Sequence, residues 1–177
     1  ALLAAAIACF AVKQAALPPD KDHDYGHGKV ETVSAAFEAL LIIAAALAIL
    51  YEAVEKLLHP QPLQEDGLYL AIGVMAVSSL MNAIVSQRLF SVGKKTGSAA
   101  LQADGMHLRA DVWTSAAVLT GVGLMKITGW AWIDPVIACL VAVGILHVGY
   151  GMCRQSYKDL TDSSLDEMEE RRIGRII

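Results

Sequence analysis

The sequence predicts an all-α, polytopic helical membrane protein, and three observations carry that expectation. Of the 177 residues, 55% are apolar and only 18% charged. The mean hydropathy is +0.49. The apolar residues are gathered into five long blocks separated by short runs of Pro, Gly, Asp and Lys, and are not spread at a helical or strand period. A formal net charge of −4 and the lack of a basic face exclude a nucleic-acid partner, because phosphate binding needs clustered Lys and Arg. Cys9, Cys139 and Cys153 are odd in number, irregularly spaced and inside or beside apolar blocks, so they read as small hydrophobes and not as a disulfide framework.

A bilayer-crossing helix takes about 20 mostly apolar residues. The first block, residues 2–17, opens without a Met and without the basic residues that precede a signal peptide's apolar core, so it reads as the tail of a spanning helix whose beginning is missing. Pro18 and Pro19 end it. The second block, residues 33–58, stops at His59 and Pro60. The third covers residues 67–90, the fourth 99–128 and the fifth 132–153. Lys13, Lys21 and Lys29 sit around the first connection, Arg88, Lys94 and Lys95 around the third, and Arg154, Lys158, Arg171, Arg172 and Arg175 in the tail. All three regions fall on one side of the membrane, which the enrichment of Lys and Arg in short inner loops makes the cytoplasmic side.

The fourth block is the odd one. Its uninterrupted apolar stretch, residues 112–125, is too short to cross a hydrocarbon core of about 30 Å. The helix must start earlier, which carries Asp104, His107, Arg109 and Asp111 to membrane depth. At about 100° per residue, Asp104, His107 and Asp111 share one stripe, and Arg109 points away. With entry at Ala99, Asp111 lies about 18 Å deep. Ionisable groups there are costly and mark a substrate or ion pathway. His107 and Asp111, four apart, offer the nitrogen and oxygen donors that suit zinc and other first-row divalent metals, with further ligands to come from another helix. The other reading of the pair is a hydrogen-bonded glue between helices.

A second cluster occupies the first connection, where Asp20, Asp22, His23, Asp24 and His27 lie within eight residues. Asp20, His23 and His27 repeat the same i, i+3, i+7 spacing, but Gly26 and Gly28 argue against a regular helix. The cluster is either a surface metal site or a solvated polar loop. No HExxH motif, nucleophile elbow or phosphate-cradling loop is present, so an enzyme is not expected.

PPDKDHDYGHGKVE (residues 18–31) followed by ADGMHLRADVWTS (residues 103–115) resembles the cation diffusion facilitator family of divalent-metal efflux transporters, in particular its bacterial zinc and iron branch. The resemblance implies a six-helix membrane domain, of which five helices are present, with residues 1–157 as that domain, lacking its first helix and the start of its second. Residues 158–177 would be a linker and the start of a cytoplasmic domain. It implies a homodimer in the inner membrane, with connections 18–32 and 88–99 and the C-terminus cytoplasmic, exchanging zinc, or next ferrous iron, for protons. No cofactor is implied beyond the metal carried. His107 and Asp111 match half of the family's transport site, whose other half, from the second helix, falls at or before Ala1. Asp20, His23 and His27 match its loop metal site, and Lys29 matches a basic residue that pairs with an acidic one after the last helix, here Asp162. A metal sensor that does not transport, or a passive channel, is the alternative.

Other polar residues read as structural or as open. His147 stands alone in the fifth block as a hydrogen-bonded structural His, and Glu38, near the start of the second block, is expected to snorkel or pair, with a transport role as the lesser reading. Asp104 is open between pathway residue and helix cap. Asp134 before Pro135 reads as an N-cap with Pro in the first helical position. Ala117 and Gly121 form a small-residue contact face.

Overall fold

The computed structural model describes residues 2–59 and 68–161. Within them every regular element is a helix: α1 (Leu2–Ala15), α2 (Lys29–Leu58), α3 (Leu68–Thr96), α4 (Ala99–Thr128) and α5 (Ile133–Leu160). The five blocks are five helices, and the fourth has the bounds its residues predict. The others differ at their ends, where α2 starts at Lys29, α3 continues to Thr96 and α5 to Leu160. Apolar character stops where lipid stops, whereas backbone hydrogen bonding does not need lipid. Lys94 and Lys95 end α3 and Lys158 ends α5, where positive charge favours the carbonyl end of the helix dipole. The third connection is therefore only the turn at residues 97–98, with its basic residues on the last turns of α3.

By length and composition α2, α3 and α5 are apolar enough to cross a membrane. The bundle is inside out relative to a water-soluble one. Leu40, Leu47, Leu70, Val74, Val77 and Leu140 are exposed on its outside, while Ser34, Glu38, Ser86 and Asp104 are buried. Lipid is as apolar as leucine, so close backbone approach of small residues, and not apolar burial, draws the helices together. The buried face of α1 is Ala4, Ala8 and Ala11, and that of α2 includes Ala35, Ala39, Ala46 and Ala53. Ala8 and Ala11 meet Ala100 of α4, with Val30 of α2 packed alongside. Ile42 and Ala46 meet Ile145 of α5, against Ala110 of α4. At Gly149 a Cβ would come within 2.8 Å of Ile43 Cγ1, so glycine sets the α2–α5 spacing.

Among the described residues α3 packs on α4 alone, where Ser86 Oγ donates to Gly105 O at 2.7 Å. Ser98 caps α4 through its Oγ, which accepts from Leu101 N at 3.3 Å. Asp134 does not cap α5: the helix begins at Ile133, with Trp132 in the capping position. Its carboxylate instead occupies the space beside Gly121, so the small face of Ala117 and Gly121 receives a polar side chain of α5. The starts of α2 and α4 and the ends of α1 and α5 lie at one end of the bundle, together with the 16–28 connection.

Candidate metal sites

The 16–28 connection is built around Asp20. Its Oδ1 accepts from Asp22 N at 3.0 Å and His23 N at 2.8 Å, which folds the chain back on itself. The turn closes with Gly26 N donating to His23 O at 3.0 Å, and Gly26 sits at φ +80°, a conformation that side-chain-bearing residues rarely adopt. That fold brings His23 Nδ1 to 3.0 Å from Asp20 Oδ1 and His27 Nε2 to 3.3 Å from Asp20 Oδ2. The two imidazoles lie 4.3 Å apart, tilted by 40°. One donor atom from each of Asp20, His23 and His27 falls within 4.8 Å of the others, a spacing one divalent ion can bridge. The glycines do break the helix, as their positions predict, and the turn still restores the three-residue juxtaposition. The hydrogen bond from His23 draws the Asp20 carboxyl below its ordinary pKa. Asp22 and Asp24 stay exposed and outside the triad.

The second candidate site lies along α4. Asp104 is buried, His107 and Asp111 are half-buried, and Arg109 is exposed with its guanidinium 4.7 Å over the Phe90 ring. The predicted stripe and the outward turn of Arg109 are therefore both present. The stripe continues the face on which Ala100 meets α1. His107 Nδ1 is buried without a hydrogen-bond partner among the described residues, and Thr114 Oγ1 donates to Asp111 O at 3.0 Å. Among the described residues no third ligand joins His107 and Asp111 at metal-binding distance. Asp104 is not a cap, since Ser98 holds that position and Asp104 lies beyond the first turn.

Glu38 is the residue whose burial sequence reasoning missed. It does not snorkel: its exposure is 0%, and both carboxylate oxygens lack a hydrogen-bond partner among the described residues. Asp104 of α4 bears on it electrostatically. The available signal was its place among Ser34, Ala35, Ala36 and Ala39, small residues that mark a tight helix contact. His147, by contrast, is exposed on the bundle surface. The cysteines are free, with Cys9 exposed and Cys139 and Cys153 half-buried. Asp162, the expected partner of Lys29, lies outside the described residues.

Residues 1–161 match the family model of the cation efflux transmembrane domain. The chain is 42% identical over 164 residues to an uncharacterized transporter of Synechocystis sp., covering 93% of this chain and 52% of that protein. It is 32% identical over 174 residues to the cation-efflux pump FieF of Shewanella oneidensis, covering 98% of this chain and 58% of the pump. It is also 32% identical over 169 residues to the metal cation efflux system protein CzcD of Cupriavidus metallidurans, covering 94% and 51%. The chain thus spans about half the length of the curated relatives it matches. With residues 1–161 matched to the membrane domain and every described element a helix, the chain belongs to the cation diffusion facilitator family.

Proposed function

We propose that this chain is the membrane domain of a transporter that moves divalent transition metal out of the cytoplasm in exchange for protons, with zinc as first substrate and ferrous iron as second. The observation that carries the reading is the stripe of Asp104, His107 and Asp111 along α4, with His107 Nδ1 buried and without a partner among the described residues, in a bundle whose exterior is apolar. FieF and CzcD are by name a cation-efflux pump and a metal cation efflux protein, which supports the direction and the cargo. Substrate metal binds neutral His107 and ionised Asp111, and protons compete for the same atoms, so affinity falls where protons are plentiful. Imidazole titrates near neutrality, which suits that exchange. Rocking of the helices that carry the site opens it to one side at a time. His107 in place of Asn or Asp argues against a manganese specialist.

Residues 1–157 form the membrane domain on this reading and residues 158–177 begin a cytoplasmic one, joined by a Lys29–Asp162 pair. The protein sits in the inner membrane as a homodimer, with connections 18–32 and 88–99 inside. The Asp20, His23 and His27 triad then faces the cytoplasm as an auxiliary metal site. The test is uptake of zinc and of ferrous iron by proteoliposomes of the complete protein carrying this chain, with and without a pH gradient. Gradient-driven uptake is expected, with loss of at least about tenfold in His107→Ala and Asp111→Ala. Uptake indifferent to the gradient would favour a passive channel, and no uptake with metal binding retained would favour a sensor. Unchanged flux in both variants would make the pair structural and remove the mechanism.

A further inference from the structure

Burial of a carboxylate without partners is among the costliest arrangements a helix bundle can hold, and Glu38 has it at 0% exposure. Ser34 Oγ, one turn earlier on α2, is also buried and has no hydrogen-bond partner among the described residues. Across the interface Asp104 of α4 is 7% exposed, one turn ahead of His107. The level of Glu38 follows from its neighbours. Ile42, one turn further along α2, belongs to the cluster of Ile42, Ala46 and Ile145 against which Ala110 of α4 packs, so Glu38 lies towards the start of α4, on the Asp104 side of Ala110. Arg109, the cation next to Ala110, is directed outward over Phe90. Two carboxylates and a hydroxyl therefore share one dry interface between α2 and α4, on the side of His107 from which the first connection is reached. Oxygen donors in that number suit a divalent ion, which neutralises both carboxylates at once.

We propose that Glu38 and Asp104 hold a divalent cation between α2 and α4, on the cytoplasmic approach to His107 and Asp111. The inference rests on the transport reading for its direction, and it makes the intramembrane pathway a two-helix construction in which α2 contributes a ligand of its own. Ser34 Oγ is the third oxygen within the same turn of α2.

Zinc binding is measured by equilibrium dialysis on the complete protein carrying this chain, in nanodiscs, with the loop triad removed by His23→Ala and His27→Ala and the transport pair by His107→Ala and Asp111→Ala. In that background Glu38→Gln and Asp104→Asn each weaken the binding of one zinc per chain at least about tenfold, and Glu38→Asp weakens it less. Zinc binding indifferent to both substitutions overturns the proposal. A second measurement guards against misfolding. Metal-free Glu38→Met melts no lower than the parent, because an apolar chain replaces an unpartnered carboxylate, and zinc no longer raises its melting temperature by the parent's increment. A lowered metal-free melting temperature with the zinc increment preserved makes Glu38 a packing element and overturns the proposal. The transport reading stands or falls separately, on uptake by the His107→Ala and Asp111→Ala variants with Glu38 intact.

Discussion

Both oxygens of Asp20 are engaged, Oδ1 by His23 and the backbone and Oδ2 by His27, so one carboxylate organises the whole loop triad. The side-chain hydrogen bond from His23 holds the Asp20 carboxyl below the ordinary carboxylate range. A carboxyl depressed in the folded state stabilises the loop above the unfolded pKa, and that contribution is lost as pH falls through the folded value. Carbon-detected NMR should therefore find Asp20 titrating below the ordinary aspartate value, and His23→Ala should return it towards that value. Zinc needs unprotonated imidazoles, so the triad's zinc affinity should weaken as the medium is acidified. Replacing Asp20, His23 and His27 together by Ala should remove one bound zinc per chain by equilibrium dialysis, without changing the helical circular dichroism. The α4 stripe is legible in the sequence because helical spacing places it, whereas the loop triad is legible only as a cluster of donors, and the turn around Asp20 brings its three members together. The burial of Glu38 is not legible, since whether an acidic residue near a helix start reaches water or is covered depends on a neighbouring helix.

At the level of elements, α4 is the helix on which the stripe depends, and its start is set by Ser98. Losing the hydrogen bond from Leu101 N in Ser98→Ala should cost about 1 kcal/mol, read as a lower melting temperature. The α2–α5 contact depends on Gly149. A leucine there would drive its Cβ against Ile43 and spread the interface that also buries Ala39 and Ile42, at a cost of about 1–3 kcal/mol or more. A serine at the same position should be tolerated better, and the comparison of the two melting temperatures checks that spacing, not helix propensity, is responsible. Helix existence and order follow from the apolar blocks. The ends do not, because the helices continue past the apolar boundary through Lys94, Lys95 and Lys158, whose charge suits the carbonyl end of the helix dipole.

For the whole molecule, the end of the bundle that gathers the 16–28 connection, the 97–98 turn and the end of α5 is expected to face the cytoplasm. With Cys9, Cys139 and Cys153 replaced by Ala, a single cysteine from Lys94→Cys should react with an impermeant maleimide only in inside-out vesicles. One from Lys126→Cys should react only in right-side-out vesicles. The reverse pattern would invert the orientation and place the Asp20 triad outside.

Composition and block structure alone determined that this chain is a helical membrane protein, because about 20 apolar residues in a row have few other stable fates. Spacing along one helix likewise determined that Asp104, His107 and Asp111 share a face, since that is a property of the 3.6-residue period. Only the tertiary structure decided which carboxylates lose their water. Asp104 and Glu38 lie on different helices, and nothing local to either places them in one dry interface. That comes from the small residues that let the helices close together, and from the absence of water to hydrate a polar group once they have closed.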